Sequence, residues 1–433
     1  MRRIRFVLIA AFSCGVGLVA QPAPVHLSLP DAVAMALKNH PLVLAAQDVI
    51  SAANQQVREA RAAYYPDFSG DVTASQGNPQ ARIGAGYLTD SRLFDRFGQG
   101  ITLNQLITDS GRTAGLVASS RLKENASQQD LETTRYDVIA RVNTAYYNAL
   151  RAKALVQVAR ETVSARQLLS QQITTLAQNG LRSDFDVSLV NVNLAEARLL
   201  LIRSQDQVLE AYAELTRALG TDQNATYDLV EMPLPPSPPP DAEPLVAQAT
   251  QNRPELASLR LSLQAANRFE QAERDLKRPT VSLIGVGGYM PYINQETPPR
   301  TIPNEYEGVG VNVQIPIFNG HLFTARQQEA HYRALEADER LRDRQQQIAR
   351  DVRAAWGSAT TAYQGLDVSA ELLREATLGM TLAQGRYDNQ LASIVELTTA
   401  QLNLTTAEIE NLNAKYDYQS QYAMLQYTIG LLR

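Results

Sequence analysis

Cysteine is almost missing from this 433-residue chain: there is one, Cys14. It lies within the first twenty residues, MRRIRFVLIAAFSCGVGLVA, which read as an export signal. Arg2, Arg3 and Arg5 supply the positive start, Phe6–Ala20 the apolar stretch, and Ala20 a small residue before a cut. A chain trimmed there has no thiol, which excludes a disulfide framework and a cysteine-based metal site. A lipidated Cys14 is the alternative, but Ala11 and Phe12 fit a lipobox badly. Long hydrophobic runs are missing as well. After residue 20 nothing approaches the ~18–20 apolar residues that a membrane-spanning helix needs. Aromatics are few, at 6%, so the chain is poor in the bulky side chains of a thick globular core. Charge of one sign is lacking too: the net charge is −5 with no basic stripe, which argues against nucleic acid as a partner.

Catalytic patterns are also wanting. The histidines, His26, His40, His321 and His331, have no metal-ligand spacing. There is no nucleophile elbow, phosphate loop or pair of catalytic carboxylates. No enzyme chemistry and no cofactor follow from the residues. Trp356 sits in a helical stretch and reads as packing.

What is present is a chain written twice. Shifted by 210 places, VNTAYYNAL (142–150) falls on VRAAWGSAT (352–360), Asn179 on Asn389, Ser183 on Ser393, Asp186 on Glu396 and Gly220 on Gly430. Nearer the start of each half the shift is 213: Asn39 and Pro41 meet Asn252 and Pro254, and Pro66 meets Pro279. Internal repetition of this length indicates a tandem duplication. The expected division is a signal at 1–20, a first repeat at 21–220, a proline-rich linker at 221–243 and a second repeat at 244–433. Within the linker, EMPLPPSPPPDAEP (231–244) favours extended polyproline geometry and reads as a semi-rigid strap.

Each half has one order. A helix of about thirty-five residues (30–64; 244–277) precedes Pro66 or Pro279, and two strand-like stretches follow. Next come a very long helix (about 112–178; 322–388), a turn, and a shorter helix (about 184–219; 394–429). Roughly 67 residues of helix extend about 100 Å, longer than an ordinary domain. Val138, Val142, Ala145, Ala149, Ala152, Val156, Ala159 and Val163 alternate in fours and threes, a heptad seam of small residues for close supercoiled packing. Near Arg166 the seam slips, resuming at Leu169, Ile173 and Leu176.

The strands have period two. In YEGVGVNVQIPIF (306–318), Val309, Val311, Val313, Ile315 and Ile317 point one way, and Gly308, Gly310, Asn312 and Gln314 the other. Phe97, Ile101 and Leu103 alternate with Gly98, Gly100, Thr102 and Asn104, and TVSLIGVGGY (280–289) and DFSGDVTAS (67–75) are the expected partners. Such strands suit a transmembrane barrel or one buried face of a soluble sandwich. No other sheet is available to pack on, which favours the barrel. Four strands cannot close, and an open edge does not sit in lipid, so the chain must then oligomerise. Two chains give eight strands, a barrel filled by side chains; three give twelve, enough for a lumen.

In this order and spacing the chain resembles the TolC-like outer membrane efflux protein family. The resemblance rests on LSLPDAVAMALKNHPLVLAAQ (27–47), the junctions ITDSGR (107–112) and IFNGH (317–321), AYYNAL (145–150), and the Asn179-Gly180-Leu181 turn followed by Asp186-Val187. It implies an α+β membrane protein: a homotrimer with a 12-stranded outer membrane β-barrel, four strands per chain, continuous with a long periplasmic α-helical coiled-coil barrel. It further implies a passive exit duct working with an inner membrane transporter and a periplasmic adaptor protein. A type I protein secretion duct of the same fold, and a soluble periplasmic coiled-coil scaffold, are the other readings.

Two turns carry the candidate site. Ser183-Asp184-Phe185-Asp186 and Ser393-Ile394-Val395-Glu396 both match the capping box S-x-x-D/E, and Asn179-Gly180 suits a helix end. Capping alone accounts for the acids. Threefold repetition would also make each a carboxylate ring that attracts cations. The resemblance implies that Asp186, Tyr387 and Glu396 gate a periplasmic aperture, and that Gly180, Leu181, Ser183, Leu391 and Ser393 face the adaptor. Gln390 stands where a glycine is usual, and Ala392 and Thr399 where other members carry an arginine and a second acid.

Overall fold

The structure, a computed structural model, describes residues 25–75, 96–221, 227–291 and 304–432. The expected signal at 1–20, with Cys14, lies outside the described residues. Two helices dominate: α3 (Arg112–Gln178) and α7 (Leu322–Asp388), each of 67 residues. Each returns through a short turn into α4 (Asp184–Leu219) or α8 (Ile394–Thr428). α3 packs on α4 and α7 on α8, and α3 also lies against α8, so α4 and α7 are the outer members.

The small-residue seam is buried from Val138 to Ala159, as its spacing requires. At the slip, Arg166 is only 6% exposed; its guanidinium donates to the Asn193 carbonyl at 3.0 Å and lies 3.8 Å from Glu196. A long charged side chain in the seam cannot act as a small-residue knob, which accounts for the slip in the heptad spacing there. Apolar packing is divided into three clusters along the rod. One centres on Val138–Leu150, one joins Leu256, Val352 and Leu425, and one lies beneath the turns.

The expected single helices at 30–64 and 244–277 are each two. α1 (Leu29–Asn39) stops at His40 and α2 (Pro41–Ala62) begins anew. α5 (Glu243–Asn252) stops at Arg253 before α6 (Pro254–Asp275). Proline drives the preceding residue out of the helical region, and His40 and Arg253 accordingly have ψ of 125° and 122°. Each break is a packing site. Gly220, at φ +68°, ends α4 so close to it that an added Cβ would lie 2.6 Å from the His40 Cα. Gly430, at φ +74°, approaches Asn252 in the same way.

Two short strands were not foreseen. β1 (Val25–Leu27) pairs in parallel with β4 (Tyr227–Leu229). Tyr146, wholly buried on α3, fixes them: its hydroxyl donates to Leu27 or Val230 carbonyls at 2.9 and 2.7 Å and accepts from the Val230 N–H at 3.0 Å. Beyond β4 the proline-rich segment is neither helix nor strand. Gln419 donates to the Met232 carbonyl at 2.8 Å, Tyr418 to that of Pro236, and Trp356 to that of Pro239 at 2.8 Å. The segment is thus tied across α8 and α7.

At the other end lies a four-stranded antiparallel sheet in the order β2 (Asp67–Ser75), β3 (Arg96–Thr108), β5 (Thr280–Tyr289), β6 (Glu305–Gln314). β6 stops short of Ile315 and Ile317, which the alternation had placed in it, because Pro316 offers no N–H to a ladder. The register puts Phe68, Val72, Ile101, Leu103, Leu283, Val309, Val311 and Val313 on one face. The other carries Asp67, Ser69, Thr102, Asn104, Ser282 and Asn312, with Leu106, Ile284 and Val286 among them. Most of the apolar face is open, with Val309 77% exposed.

Burial pushes the Tyr146 phenol up to about 12. The native hydroxyl therefore keeps its proton where an unfolded tyrosine, near 10, has lost it. More protons bound in the native state means that stability falls as pH rises from about 10 to about 12. Thermal unfolding followed by circular dichroism is expected to show that fall. Tyr146→Phe should lower the midpoint at neutral pH, by about 1–3 kcal/mol of stability for the orphaned buried partners, and flatten the alkaline slope.

Candidate functional site at the helix tips

Both turns end their long helices in one way. After α3, the Gly180 N–H donates to the Ala177 carbonyl at 2.9 Å and the Leu181 N–H to that of Leu176 at 2.9 Å. After α7, the Gln390 N–H donates to Tyr387 at 3.0 Å and the Leu391 N–H to Arg386 at 2.8 Å. Each is a Schellman motif, which needs a left-handed residue after the cap. Gly180 takes φ +74° freely, whereas Gln390 is held at φ +61° with a side chain.

The following caps differ. Ser183 accepts from the Asp186 N–H at 3.2 Å and Asp186 accepts from the Ser183 N–H at 3.3 Å, a complete capping box. Ser393 accepts from the Glu396 N–H at 3.2 Å, but the Glu396 carboxylate pairs instead with Arg386 Nε at 2.9 Å. The second capping box is therefore half made, a correction to the sequence expectation. A guanidinium one turn back on α7 outcompetes a neutral backbone N–H for the charge. Arg386 also donates to the Leu391 carbonyl at 3.3 Å, so one arginine braces the whole second turn.

Arg182, from the first turn, stacks over the Tyr387 ring at 5.0 Å, a cation–π contact between the two hairpins. The Tyr387 hydroxyl is buried without a hydrogen-bond partner among the described residues. Burial pushes this phenol up, the Arg182 charge pulls it down, and Asp186 and Asp388 push it up again. Asp186 thus acts on Tyr387 through space rather than through a bond. Beneath them Leu169, Ile173, Val190, Ala383, Ile394 and Leu397 form the small core that joins the hairpins.

The structure brings Asp186 and Tyr387 into one group and leaves Glu396 apart with Arg386. That pair borders a groove of about 900 Å³ between α7 and α8, floored by Ala376, Gly379 and Ala400. Ser183 and Ser393 are exposed at the two turns. Gly180 has open space around it, and Leu181 and Leu391 are 69% and 71% exposed at equivalent points of the two tips. Sequence reasoning missed Arg182 and Arg386. A signal for Arg182 existed: under the 210 shift it falls on Ala392, so the arginine lacking in the second turn is present in the first.

Among the described residues, no group of His, Cys, Asp and Glu could hold a metal ion. Among the same residues, no helix is long and apolar enough to cross a membrane.

A family model described as outer membrane efflux protein matches residues 32–221 and 245–431. The alkaline protease secretion protein AprF of Pseudomonas aeruginosa is 26% identical over 455 residues, covering 100% of this chain and 89% of that protein. The outer membrane protein TolC of Vibrio cholerae is 24% identical, covering 83% of this chain and 84% of that one. Among solved structures, the outer membrane protein VceC of Vibrio cholerae superposes with a TM-score of 0.79 at 17% identity, covering 93% and 96% of the two chains.

The contrast between the tips is measurable. A non-glycine residue in the left-handed region costs about 1–2 kcal/mol. Gln390→Gly is expected to slow amide hydrogen exchange through residues 386–394, and Gly180→Ala to speed it through 176–184. Equal exchange in both variants and the parent would mean that neither turn depends on its left-handed residue.

Proposed function

The chain belongs to the outer membrane efflux protein family, and from that premise we propose that three copies form a duct joined to a periplasmic adaptor and an inner membrane transporter. The protein is an outer membrane channel component. The observation that carries the finer reading is a sheet with one exposed apolar face and two unpaired edges, β2 and β6, set on helices of 67 residues. In hydrocarbon every backbone N–H and C=O needs a partner. The edge of one copy pairing with the next removes both edges, and three copies make twelve strands with a lumen. The helices support the same arrangement: α4 exposes Val192, Leu199, Ile202 and Leu209, while α7 exposes Leu372, Leu378 and Leu382, apolar rows suited to packing between copies.

In this reading the chain performs no covalent step. It offers a water-filled path, and the transporter supplies energy and makes most of the choice of substrate. Asp186, Tyr387 and Glu396 close the periplasmic aperture, with Arg182 and Arg386 as their cationic partners. Gly180, Leu181, Ser183, Leu391 and Ser393 form the outward rim that the adaptor covers, since Leu181 and Leu391 stand largely exposed among the described residues. The same duct serves protein secretion equally well, a reading favoured by the likeness to a protein named for alkaline protease secretion over the whole chain.

Two measurements test these readings. Cells fractionated after breakage should yield the chain in the outer membrane, as trimers that conduct in planar bilayers; recovery in the soluble periplasm would leave only a coiled-coil scaffold. Each cation–π tie at an exposed site is worth about 0.5–1 kcal/mol, and three repeats favour the closed tip by about tenfold or more. Arg182→Ala with Arg386→Ala should therefore raise the open probability by that order, and an unchanged record would assign both arginines to structure alone.

A further inference from the structure

The sheet face opposite the apolar one mixes Thr102, Asn104, Ser282 and Asn312 with Leu106, Ile284 and Val286 near the helices, and differs at the end far from them. There Asp71, Gly100, Gly288 and Tyr306 lie in one row across β2, β3, β5 and β6. Tyr306 does not stand up from this row. Its side chain lies down across β5 and reaches β3. A Cβ added to Gly288 would fall 2.5 Å from its hydroxyl and 2.6 Å from its Cζ, and one added to Gly100 would collide with the hydroxyl as well. In the next row Met290 lies within 3.7 Å of where a Gly98 Cβ would be. Glycine inside a strand weakens it, and a tyrosine laid over glycines recovers the lost contact. Neither Gly100 nor Gly288 has a positive φ, so a turn does not explain them. The ring occupies space that their missing side chains leave, although at Gly288 the Gln99 carbonyl oxygen, 2.5 Å from the same point, also excludes a Cβ.

We infer that Tyr306 is the specificity-determining residue at the outer exit of the duct: a tyrosine held flat against the lumen wall by Gly100 and Gly288, presenting its ring face to departing aromatic or cationic solutes. The inference rests on the duct reading above, which makes this sheet face the lumen. A ring lying flat keeps the bore open, whereas the same ring standing up would project toward the axis in three copies. Its exposed face carries the negative side of the aromatic quadrupole, which attracts cations and offset aromatic rings. The residues of this face nearer the helices, Thr102, Asn104, Ile284, Val286, Gly308 and Asn312, include no aromatic ring and provide no such surface.

The test uses full-length trimers in planar bilayers, with tetraphenylphosphonium added on the side of the strand ends that carry Tyr306. Tyr306→Ala should weaken block by about two- to fivefold, as expected for loss of an exposed cation–π surface, while Tyr306→Phe should retain it. Gly100→Ala, whose added methyl meets the far end of the tyrosine with the nearest backbone atom at 3.2 Å, should lower single-channel conductance. Adding Tyr306→Ala to it should restore the conductance. Block unchanged by Tyr306→Ala, or equal conductance in the parent, Gly100→Ala and the double variant, would overturn the assignment. If the duct reading itself failed, the parent protein would form no channel, a result distinct from either.

Discussion

Backbone amides without partners set the terms on which the rest of this molecule is built. Among the described residues, the outer N–H and C=O groups along β2 and β6 have no neighbouring strand, and each such group costs several kcal/mol in an apolar medium. A sheet of this kind is unfinished by itself, and no described residue covers most of its apolar face. Everything below the sheet follows suit. The long helices carry no single apolar face; their buried rows turn from one neighbour to another, and α4 and α7 are left with apolar rows facing outward. In the proposed trimer the chain is a segment of a wall, and its sequence is economical in large side chains because a wall is thin.

Length creates a second problem, since a rod of 67 residues has no centre to pack around. The solution here is three separate clusters joined by close backbone approaches. Gly220 against His40 and Gly430 against Asn252 hold the short helices to the long ones where the prolines break them. Tyr146 hooks β1 and β4 to α3. Glu231, held by Lys415 and Tyr416 at 3.0 Å each, starts the crossing of the proline-rich segment over the second half. Burial pushes the Tyr416 phenol up, and its bond to the carboxylate pushes it further in the same direction.

Much of this was legible in the residues. The bounds of α3 and α7 follow from heptad spacing and from turn residues, and the strand faces follow from alternation, because both signals are periodic and local. The breaks at His40 and Arg253 were misread because apolar spacing runs through Pro41 and Pro254, although the steric effect of proline was there to use. β1 and β4 are too short for any period, and their reason to exist is the Tyr146 hydroxyl, more than a hundred residues from Leu27. At the tips, the caps were readable and the side-chain partners were not. Glu396 looks like a capping acid until Arg386 is seen beside it, and the Arg182–Tyr387 contact joins residues from different hairpins. Local rules place a backbone; competition among charges decides where the side chains go.

The proline-rich segment also sets a mechanical scale. It fastens to α8 at Tyr418 and Gln419 and to α7 at Trp356, and from there α7 runs on to Asp388, packed against α8 and joined to α3 by the core beneath the turns. That run spans about 48 Å at 1.5 Å per residue. A rotation of about 5° about the fastening would carry the tip about 4 Å, comparable to the Arg182–Tyr387 separation, and α8 would have to travel with it. The segment that joins the two halves of the chain is thereby the fixed point from which any displacement of the α7–α8 tip is measured.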